Sequence, residues 1–331
     1  MTVAACLFLL AQVAHGEFTY KPTPAEPEVP ALFRLESALV PYESELRRNE
    51  PGVRVSAVRF PSPIVSPDPV NNTVHAEYFQ VEPARAGLTN STEQVKPVAR
   101  PAVVVLHILG ADFALSRFVA MRLAQHGVHA LFVKLPYYGE RRPPGVKFLS
   151  PDLERSSIAM RQGICDVRRA LGWLAARTEV DAGRLGVTGI SLGGIVSALV
   201  ASVDPSVHAA GLLLAGGDLA QILWTMPEAE PYRKRWIEAG KTKADLEALV
   251  DPYDPLRYAD RLKGKRVLMM AATADEVVPP ECTRRLWEKA GRPPIRWMNC
   301  GHYSAVAYLI PAVRDLAEFF AAGSRQTTEG G

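Results

Sequence analysis

The sequence predicts an α/β fold: a mostly parallel twisted sheet of about eight strands with helices on both faces. Three observations carry this. Apolar runs of strand length alternate with segments of helical apolar spacing along most of the chain. Residues 102–108, AVVVLHI, form an unbroken run rich in β-branched side chains, the mark of a strand buried on both faces. The strand RLGVT runs directly into a glycine-flanked turn and then a helix of small residues, as a parallel strand–helix–strand unit requires.

Taken in order, residues 53–60 and 75–81 read as two antiparallel strands joined by a Pro- and Asn-rich loop. The run 102–108 follows, then a helix at 114–125, a strand at 129–134 and a long loop. Residues 155–177 are helical by their apolar spacing, 184–188 a short strand and 192–203 a helix. Strands are expected at 209–215, 266–272 and 295–298, with helices at 281–290 and 305–320. The stretch 218–265 breaks the rhythm: it is charged and holds Trp224, Tyr232, Trp236 and Tyr253. It is either a helical cap insertion over the C-terminal edge of the sheet, where ligands bind in such folds, or the peripheral helix of that unit with longer loops.

The termini are read separately from the domain at 53–322. Residues 1–16, MTVAACLFLLAQVAHG, hold an apolar stretch too short to cross a bilayer but suited to a signal peptide. Small residues Ala14 and Gly16 predict cleavage before Glu17 and a secreted or periplasmic protein, although the n-region has no Lys or Arg. Without that signal the protein would be cytoplasmic. Residues 17–52, rich in Pro and Glu, are expected to form an arm that packs on the domain or trails from it, helical around 31–46. Residues 323–331 read as a disordered tail.

Composition narrows the function classes. A chain of 331 residues, 48% hydrophobic and 22% charged, buries roughly three quarters of its unfolded surface, so one large domain stands without disulfides or metals. The net charge of +3 is small and scattered, which argues against nucleic acid as a partner. No later segment is long and apolar enough to span a membrane. Cys6 would leave with the signal; Cys165, Cys282 and Cys300 then form one disulfide plus a free thiol, or three buried thiols. Asn71-Asn72-Thr73 and Asn90-Ser91-Thr92 match the glycosylation sequon. No metal-binding motif and no dinucleotide fingerprint is found, so no cofactor is expected.

Gly189-Ile190-Ser191-Leu192-Gly193 matches G-x-S-x-G between a strand and a helix, the context that motif requires. The nucleophile would sit on a sharp turn where side chains at the flanking positions clash. The following helix N-terminus would place N–H groups beside a developing oxyanion. On these residues the chain resembles the α/β-hydrolase superfamily over roughly residues 53–321. Its G-x-S-x-G-G form is similar to that of the dienelactone hydrolase and prolyl oligopeptidase branches. The resemblance implies a triad in the order Ser, acid, His. Asp275 follows the strand RVLMMAA and His302 follows the last strand in MNCGHYSA, 27 residues on. Glu276 and Asp218 compete with Asp275 for the acid's place.

The resemblance also implies an oxyanion hole built from the N–H of Leu192 and one from the loop His107, Ile108, Leu109, Gly110, Ala111. Leu109 matches the donor position best, with Ile108 the runner-up; Ile108 stands where many relatives have glycine. After the strand HALFVKL, Tyr137, Tyr138, Arg141 and Arg142 fall near the site's rim. Tyr137 and Tyr138 are candidates for substrate binding or packing. Arg141 or Arg142 either grips a substrate carboxylate or pairs with Glu140 or Asp152 to hold the loop. The expected function is a cofactor-free carboxylesterase acting on a small-molecule ester. The alternatives are a serine peptidase of prolyl oligopeptidase type, against which the lack of a propeller-like repeat array counts, and a non-catalytic binding protein. Substrate and oligomeric state stay open.

Overall fold

Ten strands form one sheet in the computed structural model, which describes residues 13–82, 98–110, 113–150 and 153–322. In chain order the elements are β1 (Val13–Tyr20), β2 (Ala38–Glu50), β3 (Val53–Pro61), β4 (Thr73–Val81), β5 (Arg100–Leu106), α1 (Phe113–Gln125), β6 (His129–Val133), α2 (Leu153–Ala175), β7 (Val180–Ile190) and α3 (Leu192–Val203). There follow β8 (Ala209–Leu213), α4 (Leu219–Thr225), α5 (Glu230–Glu238), α6 (Lys243–Val250), α7 (Pro255–Tyr258), β9 (Arg266–Ala272), α8 (Pro280–Lys289), β10 (Ile295–Met298) and α9 (Leu309–Ala321). The eight expected strands are β3 to β10. The two additional ones come from the N-terminal arm.

The spatial order is β1-β2-β3-β4-β6-β5-β7-β8-β9-β10. Strands β1 to β4 pair antiparallel, β4 joins β6 antiparallel, and β6, β5, β7, β8, β9 and β10 are parallel. Along β5 the side chains alternate. Ala102, Val104 and Leu106 join a core with α2 and α3, while Val103 and Val105 join one with α1 and α9. That period of two assigns the helices to opposite faces. Strand β5 has β6 on one side and β7 on the other, so the order reverses between β5 and β7. A crevice opens outside the C-terminal ends of strands at such a switch point.

The arm is part of the sheet. Residues expected to be helical around 31–46 instead make a short 3-10 turn, Ala31–Phe33, and the first part of β2. Pro41 explains the difference: it breaks a helix interior and biases the preceding Val40 toward extended backbone. Val40 is buried while Leu39 is 63% exposed, a strand's alternation. Arg168 of α2 clamps the arm, donating to Glu26 at 2.6 Å, to Asp204 at 2.9 Å and to the Phe33 carbonyl. Strand β1 runs through Gly16 and Glu17, with Gly16 opposite Tyr42. Cleavage before Glu17 would therefore remove Val13 to Gly16 from the edge strand. Most of the apolar leader, Cys6, the second sequon and the tail at 323–331 lie outside the described residues.

Between β8 and β9 the helices α4 to α7 form an insertion with two parts. Helices α4 and α6 stand over the end of β7, and α7 with the turn Ala259–Leu262 packs on α3. Asp254 ties them together: its carboxylate accepts from the amides of Asp218 (3.0 Å), Leu219 (2.6 Å) and Leu256 (2.8 Å). Cys165, Cys282 and Cys300 are free thiols, and burial pushes Cys165 and Cys282 up to about 12. No helix among the described residues is long and apolar enough to cross a membrane.

Candidate active site

Ser191 sits at the end of β7 with φ 55° and ψ −119°, a left-handed conformation that costs a non-glycine residue of order 1–3 kcal/mol. Its amide is held by the Leu213 carbonyl at 2.9 Å. The flanking glycines are required by contact. A Cβ on Gly189 would fall 2.4 Å from the Gly193 backbone, and one on Gly193 would fall 2.5 Å from the Leu106 carbonyl oxygen. The turn therefore closes only without those side chains, and it projects Ser191 Oγ over the switch point.

His302, in the loop after β10, places Nε2 2.9 Å from Ser191 Oγ. Its Nδ1 lies 2.8 and 2.9 Å from the two carboxylate oxygens of Asp275. Asp275 is in turn fixed by the amides of Val277 (2.9 Å) and Val278 (2.7 Å). Ser191 and Asp275 are both buried. The rival acids have other tasks. Glu276 accepts the His302 backbone N–H at 2.8 Å, which holds its carboxyl below the usual range. Asp218 caps α4 through the Gln221 amide at 3.1 Å and pairs with Arg285.

Leu192 is the first residue of α3, so its N–H has no partner within the helix. Leu109 lies in the loop after β5 and lines the space beside Ser191. His107 governs that loop. Its Nδ1 lies 2.8 Å from the Ile108 carbonyl, and its Nε2 accepts the Leu135 amide at 3.0 Å. Nδ1 must then carry the proton. The Ile108 carbonyl and the Leu109 N–H belong to one trans peptide and point in opposite directions, so the imidazole turns the Leu109 N–H away from itself. Tyr138 adds a second hold, donating to the Leu109 carbonyl at 2.9 Å.

Burial pushes His107 down to about 4. An unfolded histidine titrates near 6.5. Between those values the unfolded chain binds a proton that the folded one refuses, so stability falls as the pH drops through the window. The full difference corresponds to roughly 3 kcal/mol. Urea unfolding at pH 7 and pH 4.5 should show a smaller loss for His107→Gln than for the native chain. An equal loss would remove His107 from the acid response. His75 and His129 are lowered in the same direction by burial and supply a remaining slope.

The residues expected to bind substrate after β6 serve the loop instead. Arg141 is fully buried, paired with Asp166 of α2 at 2.7 Å and bonded to the carbonyls of Asn71 (2.8 Å) and Lys134 (2.9 Å). Its partner is neither Glu140, which binds Lys134 at 2.7 Å, nor Asp152, which lies outside the described residues. Arg142 donates to the Val146 carbonyl at 2.8 Å. Tyr137 donates to Asp68 at 3.0 Å, and its amide reaches Asn71 Oδ1 at 3.0 Å. Tyr137, Tyr138 and Arg141 do not line the space around Ser191. Asn71 of the first sequon is wholly buried, donating to Gln162 at 2.7 Å, and offers no amide for a glycan in the folded state.

Two cavities instead meet at Ser191. One, about 850 Å³ of empty space including the open solvent at its mouth, is walled by Phe148, Met160, Ile195, Leu219, Ile222 and Leu223 among others. The second, about 1200 Å³ on the same measure, is bounded by Ile108, Leu115, Met298, His302, Val306 and Leu309 among others. Sequence reasoning missed these walls. The apolar positions of α4 were visible, but nothing local says that they face Ser191.

Residues 161–292 match the model of the prolyl oligopeptidase family, and residues 79–216 that of alpha/beta hydrolase domain containing 18. Together with the parallel sheet and the Ser191 turn, these matches decide the family. The chain belongs to the α/β-hydrolase superfamily. Among curated proteins it is 29% identical over 217 residues to the uncharacterized protein Rv2627c of Mycobacterium tuberculosis, covering 62% of this chain and 50% of that protein. This α/β-hydrolase thus spans about half the length of the curated relatives it matches. Acetyl xylan esterase 1 of Thermoanaerobacterium sp. JW/SL YS485 superposes with a TM-score of 0.65 at 15% identity, over 91% of this chain and 96% of that one. The acetyl xylan esterase of Paenibacillus sp. R4 gives 0.61 at 19% identity, over 83% and 88%.

Proposed function

We propose that this α/β-hydrolase is a serine hydrolase that cleaves a carboxylic ester through an acyl-enzyme. The observation that carries the reading is the unbroken hydrogen-bonded chain from Ser191 Oγ through His302 to Asp275. In the first step Ser191 Oγ bonds to the acyl carbon while His302 Nε2 takes its proton, and Asp275 stabilises the imidazolium through Nδ1–H. The N–H groups of Leu192 and Leu109 receive the developing oxyanion, each worth about 2.7–4 kcal/mol in the transition state. His302 then protonates the departing alkoxide. Water, deprotonated by His302, attacks the acyl carbon; the acyl–Oγ bond breaks as His302 returns the proton to Ser191 Oγ, and the acid leaves.

A second reading, a serine peptidase, has one specific support: the prolyl oligopeptidase model match over residues 161–292. Matched ester and anilide substrates of one acyl group separate the two. The ester reading predicts turnover of p-nitrophenyl esters and at least a hundredfold lower kcat/KM for the p-nitroanilides, and comparable values would favour the peptidase. A non-catalytic binding role predicts turnover of neither, and the intact Ser–His–Asp chain speaks against it.

A further inference from the structure

The two cavities differ in which catalytic atom they adjoin. The first borders Ser191 and Leu192 and is walled by α2, α3 and the insertion, without contact to His302. The second borders both Ser191 and His302. On the ester reading proposed above, on which this inference rests, His302 must hand its proton to the leaving oxygen. The alcohol half of the ester therefore lies on the His302 side. The acyl half extends the other way, under α4 and α6.

Both halves meet apolar walls. Among the described residues no charged side chain lines the first cavity, and Ser156, Ser157 and Tyr253 are its polar members besides Ser191. In the second, Glu228 is the one carboxylate among the described residues, and the mouth is formed by Tyr303 and Val306, 60% and 70% exposed. Ile310, 67% exposed, continues that apolar surface. A sugar alcohol would leave its hydroxyls facing hydrocarbon there, at a cost of about 1–3 kcal/mol for each unpaired group. We infer that the substrate is an ester apolar on both sides of the scissile bond, with an alkyl acyl chain in the insertion-covered cavity and an uncharged alkyl or aryl alcohol in the His302-side cavity. An alkyl acyl chain suits an apolar space of this kind.

Two substrate series test the assignment in the full chain. With p-nitrophenol as the common alcohol, kcat/KM should rise roughly fourfold per methylene from acetyl toward octanoyl. With octanoyl as the common acyl group, butyl and benzyl esters should exceed glyceryl and glucosyl esters by at least tenfold. Leu223→Trp, in the first cavity alone of the two, should move the acyl optimum to shorter chains and keep the alcohol ranking. Leu309→Trp, in the second alone, should do the reverse. A fluorophosphonate label with a methyl-sized group reports whether each variant is folded; if one is not, the native chain's two profiles still decide. Acetyl as the best acyl group, a preference for sugar esters, or both variants shifting both series alike would overturn the inference. No Ser191-dependent turnover of any ester would instead overturn the reading beneath it, and the inference with it.

Discussion

Ser191→Ala is expected to lower kcat for ester hydrolysis by roughly 10⁶-fold. The removed hydroxyl is the atom 2.9 Å from His302 Nε2, and no neighbouring oxygen stands in its place within that hydrogen-bonded chain. The fold should be unaffected, because the Ser191 amide bond to the Leu213 carbonyl and the Gly189–Gly193 contact are backbone features. Steady-state kinetics and a thermal melt read both halves of this expectation. Activity within tenfold of the native chain, at an unchanged melting temperature, would mean that the chemistry does not pass through Ser191.

The second large effect is expected at Asp275. In Asp275→Asn the remaining Oδ1 can still accept the amides of Val277 and Val278, so the loop stays in place. The new amide nitrogen faces His302 Nδ1, which is 2.8 Å from the present carboxylate. Two donors cannot face each other, so the imidazole carries its proton on Nε2 and presents N–H to Ser191. It can then no longer take the serine proton, and kcat should fall about 10⁴-fold with little change in KM. A loss below tenfold would point to a different acid, and Glu276→Gln would be the next variant to measure.

Much of the sheet was legible because strands β3 to β10 carry local signals: alternation in the antiparallel strands and unbroken β-branched runs in the buried parallel ones. Strands β1 and β2 were not read, although Pro41 within 31–46 was a visible warning against a helix. The relation between Ser191, Asp275 and His302 was legible because each follows a strand at the same end of a parallel sheet, so topology gathers them. The roles first given to Tyr137, Tyr138 and Arg141 failed for the opposite reason. Arg141 meets Asp166 across 25 residues of chain and Asn71 across 70, and nothing in the loop's own sequence names those partners. His107 was read for its place in the oxyanion loop, but its hold on the Ile108 peptide depends on Leu135, 28 residues away. The cavity walls depend on how α4 and α6 fold back over β7, a tertiary event without a local pattern.

The central claim is that Ser191 is a nucleophile activated by His302. Its most direct test is incubation of the native chain, Ser191→Ala and His302→Gln with a fluorophosphonate, followed by mass-spectrometric mapping of the adduct. The account predicts one adduct per chain on Ser191 in the native protein, none in Ser191→Ala, and labelling slowed by at least a hundredfold in His302→Gln. No adduct in the folded native chain, or an adduct that persists in Ser191→Ala, would contradict it.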